Sequence, residues 1–207
     1  MKTIKLLFLS IFLISIVSCS NEDDNTVLLE VQTETVLNLH APQIGGQGQP
    51  ISGAFTKFSF ETGTVTTSDT NWDIAFRGTT IIVNGGESLG TNDEPVRTGN
   101  AAAYIANGTM ASVTEVDTDL LIADSTNGYA IPSGSGNGWY LYNPQLFLVT
   151  PIAGKILVFR THDGRYAKVE ILSYYQDAPE NPNAMVDEGR YYTFNYVYQP
   201  NEDVTTF

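Results

Sequence analysis

The chain has 207 residues with 23 acidic and 10 basic side chains, a formal net charge of −13 and an isoelectric point near 4.3. So acidic a chain lacks the positive surface that nucleic acid binding requires, and any anionic ligand must be met by local cations. One cysteine excludes an intrachain disulfide. With two histidines and three methionines, the stock of metal donors is small, and no pair has the short spacing of a closed zinc site.

Lys2 and Lys5 precede an apolar run from Leu6 to Val17 that is too short to span a bilayer as a mature helix. Ile16-Val17-Ser18-Cys19 follows, with a branched residue three before the cysteine and a small one directly before it. Residues 1–18 therefore read as a lipoprotein signal peptide and Cys19 as the lipidated new terminus. Their release removes two lysines and no acid, taking the net charge to −15. Ser20 to Asp24 is polar and acidic, so residues 19–26 read as a tether that has nothing to pack.

Residues 27–207 are expected to form one domain, since neither an internal repeat nor a second core is visible. Residues 27–39 mix apolar and β-branched positions as an entering strand does. Residues 41–53, with two prolines and four glycines, read as loop. Phe55, Phe58 and Phe60 then lead through a Thr- and Gly-rich hairpin to Trp72. Trp72, Ile74 and Phe76 recur at every second position, which is the period of a strand with one buried face. Arg77-Gly78 breaks that run, Thr79 to Val83 supplies a second β-branched strand, and Asn84-Gly85-Gly86 turns the chain.

Residues 87–100 are rich in breakers and lack periodicity, so they form a long loop. Short helices fit only at 101–107 and 112–124, where Val113, Val116, Leu120 and Leu121 are spaced for one face. A second glycine-rich loop, 128–138, ends at the aromatic cluster Trp139, Tyr140 and Tyr142. Residues 154–161 and 165–175 flank His162-Asp163-Gly164, a strong hairpin signal. After the loop 176–189, Tyr192, Phe194, Tyr196 and Tyr198 share one face of a last strand.

Serines in glycine-rich loops lack a G-x-S-x-G elbow and the only bases are His40 and His162, so no enzyme is expected. The pattern as a whole points instead to an all-β, single antiparallel domain with long loops at one end and little helix.

WDIAFRGTTIIVNGG at 72–86, GWYLYNPQ at 138–145, TPIAGKILVFRTHDGRYAKVEILSYYQD at 150–177 and RYYTFNYVYQ at 190–199 resemble the HmuY-like haem-binding lipoproteins of Bacteroidetes-type bacteria. The resemblance implies haem capture at the outer surface of the outer membrane for iron acquisition, with delivery to a TonB-dependent transporter. It also implies two axial ligands from neighbouring loops. No donor follows the Trp-Tyr segment, which continues Asn143-Pro144-Gln145-Leu146-Phe147-Leu148, whereas Met185 matches the second position. His162 and Met110 are replacements to which no motif assigns the role. Tyr140, Tyr142, Phe147, Tyr174 and Tyr175 are candidates to line a haem slot, and Arg97, Arg160, Arg165 and Lys168 to answer its propionates. The competing reading of Met185 is a cap on the hydrophobic edge of the last strand. The competing reading of the chain is a scaffold that has lost iron ligation and binds another porphyrin, an apolar ligand or a surface partner.

Overall fold

The computed structural model describes residues 28–46 and 48–207. The signal peptide, Cys19 and the acidic tether lie outside the described residues. In chain order the strands are β1 (Gln32–His40), β2 (Ile44–Gly46), β3 (Gln49–Ser52), β4 (Thr56–Ser59), β5 (Thr64–Thr66), β6 (Ile74–Arg77) and β7 (Thr80–Val83). They continue as β8 (Ala102–Asn107), β9 (Tyr140–Asn143), β10 (Leu148–Pro151), β11 (Lys155–Arg160), β12 (Tyr166–Tyr175) and β13 (Gly189–Gln199). The fold is all-β and its strand pairings within sheets are antiparallel; the helical content among the described residues is one 3-10 turn, Thr118–Leu120.

A five-stranded sheet, ordered β1-β13-β12-β11-β8, lies against a four-stranded sheet ordered β5-β4-β6-β7. Alternation along β13 dictates this packing. Tyr192, Phe194, Tyr196 and Tyr198 are all buried toward the four-stranded sheet, where Phe58 and Phe76 meet them edge-on or tilted. Leu157, Phe159, Val169 and Ile171 complete the same core from β11 and β12. Residues of opposite parity on β11 and β12, among them Ile156, Val158 and Tyr166, face outward, where Val113 and Val116 cover them.

The hairpin expected around Asp163-Gly164 is present, with Arg160 opposite Tyr166. The strands expected at 72–83 pair as β6 and β7. Trp72 does not share their inner face, however: Ile74 and Phe76 enter the main core, while Trp72 packs with Phe55, Ala75 and Ile82 behind the four-stranded sheet. Both faces of β6 are covered, so period 2 did not separate core from solvent here.

Two further expectations are corrected. Of the segment 101–107, Ala102–Asn107 form β8, because pairing with β11 supplies their backbone partners and overrides the helix propensity of three successive alanines. In 112–124 Val113 and Val116 are the buried apolar residues, Leu120 is exposed, and the chain follows the outer face without a regular helix. The segment read as loop at 41–53 contains the small β2-β3 hairpin. Gly85 marks where β7 leaves its sheet and meets Ala101, whose carbonyl oxygen lies 1.9 Å from where a Cβ would stand. Only glycine allows that approach.

Candidate functional site

The β9-β10 hairpin and the loop between β12 and β13 come together at one end of the five-stranded sheet. Asn143 builds the hairpin turn by accepting the N–H groups of Gln145 at 3.0 Å and Leu146 at 3.2 Å through its side-chain oxygen. Phe147 then takes the left-handed conformation, at φ 54°, and both Leu146 and Phe147 project into solvent. The Val149 N–H donates to the Tyr175 hydroxyl at 3.0 Å, tying the hairpin to β12.

Across from it, Asn183 organises a tight turn. Its carbonyl accepts from Val186 at 2.9 Å and Asp187 at 2.8 Å, its side-chain oxygen accepts from Met185 at 3.0 Å, and its own N–H donates to the Asp187 carboxylate at 2.7 Å. The backbone at Met185 is thus fixed while its side chain remains 79% exposed. That exposure is inconsistent with a cap on the strand edge, which would bury the thioether.

Between hairpin and turn lies a hollow of about 380 Å³, lined by Leu146, Phe147, Leu148, Pro182, Ala184 and Met185 together with Gln145 and Asn183. Phe147 and Ala184 also border a second hollow of about 320 Å³, whose walls include His40, Val149, Tyr174, Tyr175 and Arg190. The two share Phe147 and Ala184 in their walls and form the polar and apolar halves of a groove, each in the size range of small-molecule sites. Burial pushes the Tyr174 hydroxyl well above its ordinary value and raises that of Tyr175, partly opposed by Arg190 beside the first and the Val149 N–H on the second. Both phenols therefore stay neutral near pH 7 and serve as walls and hydrogen-bonding groups, not as phenolate donors.

Four of the expected residues, Met185, Phe147, Tyr174 and Tyr175, are thus brought together. Tyr140 is instead buried against Trp139, accepting from the Thr79 hydroxyl at 3.3 Å, and Tyr142 is half-exposed on β9 and lines neither hollow. His162 lies in the turn before β12, separated from the groove by the length of that ten-residue strand, roughly 30 Å at the rise of an extended chain. Met110 packs in the outer cluster with Val113 and Tyr104.

The expected propionate cations are all engaged elsewhere. Arg97 is buried in ion pairs with Glu94 at 2.5 Å and Asp124 at 2.9 Å. The Arg160 Nε donates to the Asn100 carbonyl at 2.8 Å, and Arg165 pairs with Asp163 and donates to the Pro200 carbonyl at 2.7 Å. Lys168, buried on the outer face, donates from Nζ to the carbonyls of Met110 and Val113, both at 2.7 Å, and sits 4.6 Å from the Phe207 ring centroid.

Sequence reasoning missed two residues of the groove. Arg190, the second residue of β13, lines the polar half and donates to the Gln43 carbonyl at 2.7 Å. Its position directly after the Met185 loop was an available signal. His40 ends β1 opposite Tyr191, on whose ring it stacks at 4.4 Å. No local pattern announces that pairing, which joins residues some 150 positions apart.

A separate cluster at the far end brings donor atoms of Asp73, His162 and Asp163 within 4.8 Å of one another. These groups already satisfy one another and their neighbours. Asp73 accepts from the Phe60 N–H at 2.7 Å and the His162 N–H at 2.9 Å, and bonds His162 Nδ1 at 2.7 Å, while Asp163 accepts from the Thr161 hydroxyl at 2.6 Å. The cluster is a brace between β6, the end of β4 and the β11-β12 turn.

Comparison with known proteins gives the frame for this groove. Among solved structures, the chain superposes on the apo HmuY analog of Tannerella forsythia with a TM-score of 0.51 and 14% identity, covering 84% of this chain and 100% of that one. A candidate lipoprotein of Bacteroides fragilis aligns at 0.47, with 14% identity over 84% and 95% of the two chains. A candidate HmuY-like heme binding protein of Bacteroides vulgatus aligns at 0.42, with 14% identity over 84% and 97%. No curated protein matches the sequence. The first superposition agrees with the all-β fold, and the family described as HmuY protein matches residues 53–196, well over half of the sequence. The chain belongs to the HmuY family.

Proposed function

We propose that this protein is a surface lipoprotein that captures haem in the groove between the β9-β10 hairpin and the 176–188 loop and carries it for iron acquisition. The carrying observation is the Met185 thioether, exposed on a turn fixed by Asn183 and facing the apolar wall of Leu146, Phe147 and Leu148. A porphyrin needs an apolar slot, a donor for its iron and a cation near its propionates. Met185 would be an axial ligand and Arg190, which lines the polar half while one of its nitrogens donates to the Gln43 carbonyl, the propionate partner in place of the four cations that line neither hollow. A soft thioether raises the potential, so ferrous haem would be held more tightly than ferric. The role is binding, with no bond made or broken in the cargo.

Cys19 would tether residues 27–207 as one domain to the outer membrane, and an outer-membrane TonB-dependent transporter would receive the haem. Family membership and the preceding lipobox support this part of the reading.

The test is a haem titration of the protein lacking residues 1–19, read by absorbance in oxidised and reduced states. Saturable binding with a shifted Soret band is expected, stronger in the reduced state. Met185→Ala should lower affinity at least tenfold without changing thermal stability, because removing so exposed a side chain costs little folding energy. Non-saturating absorbance in both states would refute haem capture and turn the search to metal-free porphyrins or other apolar ligands.

A further inference from the structure

β1 is an outer strand of the five-stranded sheet, and β13 is its one strand partner among the described residues. Alternate residues along its free side therefore present backbone N–H and C=O groups that no neighbouring strand takes. Sheets usually guard such an edge with lysine, proline or a covering segment. The opposite edge, β8, is partly covered, since Ala103 exchanges backbone hydrogen bonds with Ile122 at 2.8 and 3.2 Å. β1 contains neither proline nor lysine, and Gln32 to Thr35 are exposed in the regular stretch that precedes the bulge between Val36 and Leu39.

A hollow of about 440 Å³ lies against this same stretch. Gln32, Glu34 and Val36 stand opposite Tyr198, Tyr196 and Phe194, whose side chains enter the core, so all three occupy the inner face of the sheet. The turn between β4 and β5 supplies the other wall with Glu61 and Gly63. Tyr196, only 1% exposed, reaches the hollow with a hydroxyl that has no hydrogen-bond partner among the described residues. Gly63 leaves that hydroxyl open, since a Cβ there would stand 2.7 Å from it. The lining holds two carboxylates and no lysine, arginine or histidine.

We infer that β1 and this hollow form a docking site for an extended basic segment of a partner protein, which adds to β1 as a strand and places a lysine or arginine side chain between Glu34 and Glu61. Residues directly opposite on neighbouring strands share a face, so the residue of the added strand that meets Glu34 points to the hollow. Burial first, and the Glu34 charge second, raise the Tyr196 pKa, so its phenol is neutral and accepts from an ammonium or guanidinium. A sugar would lack a stacking platform, because the Tyr196 ring is packed against Phe58 and Phe60. Charge disfavours two other occupants. Residues 19–26 of the chain itself carry Glu22, Asp23 and Asp24 and no cation, and a second copy would bring the same acidic strand. The site lies at the start of β1, whereas the groove borders its last residue, His40, so it is independent of the haem reading.

The experiment uses the whole chain in detergent and three capped heptapeptides of alternating threonine and valine. One has a central lysine, one a central glutamate, and the third is the lysine peptide N-methylated at alternate residues to block strand pairing. Amide hydrogen exchange and titration calorimetry read the outcome. In the protein alone, free-side amides of residues 32–36 should exchange quickly. The lysine peptide should bind saturably in the millimolar range, slow exchange at 32–36 and weaken with added salt, while the other two should not bind. Glu34→Gln and Glu61→Gln should each weaken it about three- to fivefold. Both glutamates are exposed, so thermal unfolding of these variants should match wild type. Protection of 32–36 before any peptide is added would mean that the tether or a second copy covers the edge, and overturns the inference. So does lack of saturable binding of the lysine peptide, equal binding of either control peptide, or unchanged affinity in both glutamine variants.

Discussion

Replacing His162 by Gln isolates the charge-dependent part of the brace that joins the β11-β12 turn to β6. In the folded protein the hydrogen bond to Asp73 raises the His162 pKa, against a smaller opposing effect of burial, with the charges of Asp73 and Asp163 adding to the rise. The folded value lies above the unfolded one, so the stabilisation is fully present below the unfolded pKa, about 6.5. It is lost as pH rises through the folded value.

The magnitude follows from the contact. The imidazole side chain is 18% exposed and the Asp73 carboxylate 3%, with 2.7 Å between their atoms. A hydrogen bond involving charge contributes roughly 1.5–3 kcal/mol and a neutral one roughly 0.5–1.5 kcal/mol. Gln supplies at best the neutral bond, so wild type should exceed His162→Gln by about 1–2 kcal/mol near pH 5.5, with the gap closing toward about zero by pH 9. Urea unfolding across that range measures it: with a slope of about 2 kcal/mol per molar, the midpoints should differ by roughly 0.5–1 M in acid and converge in base. A gap that is constant with pH, or that widens as pH rises, would refute the coupling of His162 to Asp73.

Lys168→Met should lower stability by about 2 kcal/mol, since two buried carbonyls lose a charged donor while the cost of burying the ammonium is relieved. Because Lys168 lies on the outer face of the sheet, haem affinity should be unchanged; a specific loss of affinity with normal stability would show that it reaches the ligand after all. Arg190→Gln should weaken haem binding about three- to tenfold and flatten its salt dependence, as expected for a partly exposed ion pair with a propionate. Equal affinities over a range of ionic strength would exclude Arg190 as the propionate partner.

Local chemistry by itself determined the β class, the last two hairpin-forming segments and the position of Met185. Tyr192, Phe194, Tyr196 and Tyr198 face one core because a strand repeats every two residues, and Asp163-Gly164 turns the chain wherever its strands lie. Met185 could be read as a loop residue because it follows prolines and precedes that aromatic strand. Where a segment is covered on both sides, as at Trp72, or recruited by a distant partner, as at 101–107, local pattern failed, since the deciding contacts come from other strands.

The site depended on those distant contacts still more. A cation in sequence does not reveal whether it will stay partly open to solvent, as Arg190 does, or be consumed in the interior, as Arg97 and Lys168 are. Only the pairing of β1 with β13 carries His40 to the side of Arg190, and only the hairpin and the Asn183 turn bring Phe147 and Met185 to one hollow. Such proximity arises from long-range hydrogen bonding and core packing, which act on the folded chain and leave no period in the sequence.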